Sequence, residues 1–144
     1  MKKVLLFLLI AVLIGAGIAA YLWNKPHRTA ADEKPFATLT ASALLTEFAT
    51  NEPATTEKYR EKVIQISGEL IKATTDPSGN VQIVLQAGDE QNTVSVTLMN
   101  GASAPTVSTG TMIEVKGICN GFLSNDLLGS EVLLNQGVVV NKTN

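Results

Sequence analysis

After Lys62 the apolar residues stop recurring at helical spacing and begin to alternate, and glycines interrupt the alternation at its bends. Ile64, Ile66 and Leu70 alternate with Gln65, Ser67 and Glu69, with Gly68 where the next inward side chain should fall. A glycine there marks a bulge or a sharp bend. Asp76-Pro77-Ser78-Gly79-Asn80 makes a turn, and Val81, Ile83 and Leu85 supply the inward face of a second strand. Gly88 to Asn92 turns the chain again. Val94, Val96 and Leu98 then alternate with Ser95 and Thr97 in a third strand, whose small polar outer face of Thr93, Ser95 and Thr97 reads as solvated sheet. Asn100 to Gly110, rich in Gly, Ala, Ser, Pro and Thr, is a loop. Ile113 and Val115 open a fourth strand, bent or ended near Gly117. Asn120 to Gly129 is expected to be a connection, and Val132 to Asn141 a fifth strand broken at Asn135-Gln136-Gly137.

Ahead of these strands the period is helical. Thr40 caps a predicted helix over Ala41 to Thr50, with Leu44, Leu45 and Phe48 on one face. Asn51 caps a second, with Pro53 in its first turn and Tyr59 and Val63 available to pack back. The fold class expected is mainly β: a five-stranded, partly closed antiparallel barrel preceded by one or two short helices and an N-terminal transmembrane helix.

The transmembrane element is expected from twenty uncharged residues, Val4 to Trp23, behind the basic Met1-Lys2-Lys3. That length spans a hydrocarbon core of roughly 30 Å as one helix. A cleaved signal is the competing pattern, with Gly17-Ile18-Ala19 as its cleavage site. The apolar length and the ending in Tyr21-Leu22-Trp23 favour an uncleaved anchor. No cysteine follows the run to be lipidated, and Gly15 and Gly17 do not make the G-x-x-x-G spacing of a helix dimer. The division is then residues 1–3 as a basic start, 4–23 as the anchor, 24–37 as a flexible linker broken by Pro26 and Pro35, and 38–144 as one domain. The short basic start places that domain outside the cytoplasm, in the periplasm or beyond, as a single-pass membrane protein.

From Phe36 onward, six basic residues stand against eleven acidic ones, a formal charge of 6 − 11 = −5. Affinity for a polyanion comes largely from Lys and Arg, so this balance disfavours nucleic acid. Lys58, Arg60 and Lys62 alternate with Glu57 and Glu61 in the manner of a solvated helix face. No catalytic constellation is visible. Asp89-Glu90 sits on a turn, Ser124-Asn125-Asp126 lacks a base, and the only histidine, His27, lies in the linker. Asn120, Asn125 and Asp126 do not match the spacing of a calcium loop. The single cysteine, Cys119, is a small apolar-strand side chain with no partner for an internal bridge. The expectation is a protein without catalytic, metal or cofactor site, and with unassigned ligand-binding residues.

Together, Leu44-Leu45, Phe48, Asn51-Glu52, Ala54, Tyr59, Lys62-Val63-Ile64 and Ile66-Ser67-Gly68-Glu69, with Val115 to Phe122 and Glu131 to Leu134, resemble the tRNA_anti-like family. The resemblance covers about Thr40 to Val140 and lies in barrel-framing glycines and core residues. It implies a small bacterial OB-fold domain, often behind a membrane or lipoprotein anchor. Proteins that the chain resembles often carry a second cysteine in the last strand, near where this chain has Gly137, so the resemblance does not extend to a disulfide for Cys119.

The function expected is binding by a membrane-tethered, extracytoplasmic OB-fold, with the membrane as partner through Val4 to Trp23 and a protein or glycan of the envelope as partner of the sheet face. Alternatives are a structural part of an envelope assembly and a cytoplasmic-side nucleic-acid-binding protein, the last by analogy of fold alone.

Overall fold

The computed structural model describes Val12, residues 14–18, Tyr21 and residues 30–89, 91–125 and 129–142. The elements run β1 (Ala37–Thr40), α1 (Ala41–Thr50), α2 (Glu52–Tyr59), β2 (Val63–Thr75), β3 (Val81–Gln86), β4 (Thr93–Leu98), β5 (Met112–Asn125) and β6 (Gly129–Lys142).

Both helices start where a side chain replaces a missing backbone acceptor. Thr40 Oγ1 accepts from Ala43 N at 3.1 Å, and Asn51 Oδ1 accepts from Ala54 N at 3.2 Å. Asn51 also ends α1, its own N–H donating to the Glu47 carbonyl at 3.1 Å, so one residue separates the two helices. Helix α1 buries Ala41, Leu44, Leu45 and Phe48 among the inward residues of the strands. Phe48 stacks on Phe122 of β5, centroids 5.1 Å apart, and Tyr59 of α2 packs beside it.

The first half of β2 pairs with β5 and its second half with β3. β3 pairs with β4, β4 with β6, and β6 with β5, which closes a ring of five strands. The expected antiparallel barrel is corrected to a mixed one, because β4 and β6 are parallel, with Val94 beside Val132. Geometry requires this. Alternating directions close on themselves only in rings with an even number of strands, so five strands force one parallel seam. Strand β1, which lay outside the expected set, adds a second parallel pairing along Ile64 to Ser67 of β2, on the edge away from β5.

Two further expectations change. The connection placed at Asn120 to Gly129 is largely strand, since β5 runs on to Asn125, paired with Gly129. Register shifts at Glu114/Val115, Lys116/Ile118 and Cys119/Gly121 keep the pairing while breaking the sequence alternation. Gly68 is not at a bulge, because the β2–β5 register passes through it unbroken against Ile113. It is needed for close approach: a Cβ there would lie 3.1 Å from both the Ala41 and Leu85 Cβ atoms.

Residues ahead of β1 lie on the barrel. Ala30 is fully buried, Lys116 Nζ donates to the carbonyls of Ala31 and Glu33, and Phe36 N donates to Val63 O at 2.7 Å.

The expected membrane-spanning helix is not upheld. Among the described residues no helix is long and apolar enough to cross a membrane. Most of Val4 to Trp23 lies outside the described residues, and its described members are Val12, residues 14–18 and Tyr21. An uncharged run has the composition of an anchor without thereby forming one. The single-pass topology, the extracytoplasmic location and the partnership with a membrane all rested on that run and fall with it.

Candidate functional site

Because β3 and β4 face the core through Val81, Ile83, Leu85, Val94, Val96 and Leu98, their other residues point outward. The registers line these residues up with their neighbours in three rows. Thr74, Gln82 and Thr97 form one; Lys72, Val84, Ser95 and Leu133 the next; Gln86, Thr93, Glu131 and Leu123 the third. The result is a polar face spanning β2 to β5, with Lys72 and Glu131 as its charged groups.

The middle of this face is not the solvated sheet expected of Thr93, Ser95 and Thr97. Thr97 is exposed, but Ser95 is only 3% exposed. The Ser95 hydroxyl donates to Glu131 Oε1 of the parallel neighbour, which satisfies the buried oxygen and fixes the carboxylate over the strand.

Beyond Glu131 the face opens into a cavity of about 390 Å³, lined by Gln91, Thr93, Leu123, Ser124, Ser130 and Glu131 among others. That is within the size range of small-ligand sites. Its walls are held by a side-chain bond and a close backbone approach. Ser130 N donates to Asn92 Oδ1 at 3.0 Å, and Gly129, at φ +88°, lies so close to Gln91 that any Cβ would collide with its carbonyl. The opposite end of the face is bounded by the turn after β2, where Asp76 accepts from Ser78 N, Asn80 N and Asn80 Nδ2, each at 2.8 Å. The Asn80 side chain foremost, with these backbone donors, holds the Asp76 carboxyl below the usual carboxylate range.

The other residues singled out from sequence do not converge. Cys119 is 1% exposed, and burial pushes its thiol up to about 11, which removes it as a nucleophile. Asp89 is exposed on its turn, while Glu90, Asp126 and His27 lie outside the described residues. Lys58 is bonded to Glu47 at 2.7 Å and lies 4.5 Å from the Tyr59 ring centroid, and Lys62 is 6.0 Å from the ring centroid of Phe36, on the helical side of the barrel. Among the described residues no group of three or more His, Cys, Asp or Glu is placed to hold a metal ion.

Sequence reasoning missed Lys72 and Glu131 as members of one face. The outward parity of Glu131 is legible, since it precedes the inward Val132, whereas Lys72 has the parity of the inward Leu70 and faces outward only through the register shift between them. That they share one face depends on a bulge at Ile71 and on the parallel seam, and neither leaves a local mark.

No curated protein matches the chain. Among solved structures it is similar to a proposed nucleic acid-binding lipoprotein from Klebsiella pneumoniae, with TM-score 0.53 and 18% identity over 72% of this chain and 91% of that one. A proposed aspartyl-tRNA synthetase from Leishmania major aligns at TM-score 0.46 and 12% identity, over 89% of this chain and 26% of that one. The family model for tRNA_anti-like proteins matches residues 1–138, nearly the whole sequence, so the chain belongs to the tRNA_anti-like family, whose OB-fold domains are non-catalytic recognition modules.

Proposed function

We propose that this domain binds single-stranded nucleic acid across the outer face of β3, β4 and β6. The observation that carries the proposal is the pair of outer cross-strand rows, Thr74–Gln82–Thr97 and Gln86–Thr93–Glu131, which offer hydroxyl and amide groups side by side on the face that OB-folds use for oligonucleotides. Gln82 presents its side-chain amide, a group that pairs with adenine through one donor and one acceptor, and Gln86, whose Nε2 donates to Gly88 O at 3.1 Å, keeps a second N–H and its Oε1 for the same purpose. Unpaired bases are read in this way, by hydrogen bonds to their exposed edges. The Klebsiella protein of similar fold, itself a proposed nucleic acid-binding lipoprotein, supports the same assignment.

This replaces the expectation of an envelope protein or glycan as partner, and it revises the argument from charge. A domain charge of −5 describes the whole surface. Glu47, Glu52 and Glu57 lie on the two helices, away from the rows, and within the rows Lys72 and Glu131 balance. With one lysine on the face, few counterions are released, so binding should weaken only gently with salt, at a slope of about −0.7 per phosphate contact.

Fluorescence anisotropy with labelled single-stranded DNA and RNA tests the proposal. Binding is expected with a shallow salt dependence, and Gln82→Ala with Gln86→Ala should weaken it by about 1–3 kcal/mol for each base pairing lost. A chain that binds neither strand at low salt, or whose double variant binds as before, defeats it.

A further inference from the structure

We propose that Glu131 is the residue that selects the base, and that the base it selects is guanine. The inference rests on the nucleic-acid assignment above and adds the chemistry of the cavity at the end of the face.

Glu131 is the acidic member of the three rows, and it lies between Thr93 of β4 and Leu123 of β5. A carboxylate repels the phosphate backbone of a bound strand. It therefore belongs with a base edge, and an ionised carboxylate can only accept hydrogen bonds. Guanine presents two adjacent donors on its pairing edge, the N1 proton and the 2-amino group. Adenine and cytosine each present one amino group beside a ring nitrogen acceptor, and thymine one ring N–H between two carbonyl oxygens. These neighbouring acceptors would face the carboxylate unfavourably. Only guanine matches both carboxylate oxygens in the bidentate manner that makes such bonds strong.

Three observations show the carboxylate to be prepared for this role. Ser95, 3% exposed and held in the middle of β4, donates to Oε1, so the group is aimed before a ligand arrives. The cavity of about 390 Å³ opens beside it. Leu123, 56% exposed, gives that cavity an apolar wall against which the plane of a base can lie. Ser95 is thus a positioning residue and Glu131 the one that touches the ligand.

The test uses the full chain and labelled thymidine strands carrying one central guanosine, adenosine, cytidine or inosine, the last lacking only the 2-amino group. The guanosine strand is expected to bind about tenfold tighter than the all-thymidine strand, a difference of about 1.4 kcal/mol. Inosine should lose most of that gain. Glu131→Gln, which keeps the shape but puts an NH₂ where an acceptor was, should abolish the preference for guanosine over inosine. Binding without a guanosine preference, equal binding of inosine and guanosine, or a preference that survives Glu131→Gln would each overturn the role of Glu131 and leave the nucleic-acid assignment standing. Failure of the unaltered chain to bind any strand would remove both. Comparing inosine with guanosine on the unaltered chain keeps the test independent of how the variant folds.

Discussion

Lys116 Nζ donates to the carbonyl oxygen of Glu33 at 2.8 Å, tying the fifth strand to a turn 83 residues earlier. A second bond, to Ala31 O at 3.0 Å, makes the ammonium a double clasp on the segment that leads into β1.

Lys116→Met keeps the stem that packs on the sheet and removes both bonds. Hydrogen bonds to charged groups contribute about 1.5–3 kcal/mol when buried, and partial exposure reduces this to about 1 kcal/mol here. The amides of Ala31 to Phe36 should exchange with deuterium about fivefold faster, following RT ln 5, while those of β5 stay protected. Unchanged exchange would show that the clasp does not hold the segment.

Gly68 separates α1 from β2 by the space of one missing methyl group, with Ala41 Cβ and Leu85 Cβ each 3.1 Å from where a Cβ would sit. Gly68→Val should destabilise the domain by about 1–3 kcal/mol through overpacking. Gly121→Ala is the control, since a Cβ there meets nothing within 4 Å, and it should change stability by less than about 0.5 kcal/mol. Equal melting temperatures for the two variants would remove close approach as the reason for Gly68.

Burial raises the Cys119 thiol from 9.0 to about 11 in the folded chain. A raised folded value means that the unfolded chain ionises first as pH increases. The contribution of the neutral thiol is therefore complete below pH 9.0 and is lost as pH rises toward about 11. Cys119→Ala should lose less stability than the unaltered chain across that window, although it starts lower through the cavity it leaves. A maleimide reagent at neutral pH should label the thiol only on unfolding, and rapid labelling of the native chain would contradict its burial.

The sequence shows best what neighbours in the chain decide. Caps at Thr40 and Asn51, the inward sets of β3 and β4, and the turn at Asp76 are visible because each depends on residues a few positions apart. It shows poorly what long-range pairing decides. Bulges along β5 hid its last residues behind a lost alternation, and Ser95 looked solvated because nothing near it announces a glutamate arriving from 36 residues on. The long uncharged start illustrated a further limit, in which composition alone stood for a structure that the described residues do not contain.

The parallel seam also sets the order in which this chain can be completed. Val94 meets Val132 only after the whole of β5 has been made and reversed, so on the ribosome the ring stays open until the final strand has emerged. Until then β4 and β5 each carry an unpaired edge, the kind of surface on which nascent chains aggregate. A premature stop before β6 would thus leave a chain that can build its helices and three-stranded meander yet has two adhesive margins, a substrate for chaperones and proteases in place of a smaller working domain.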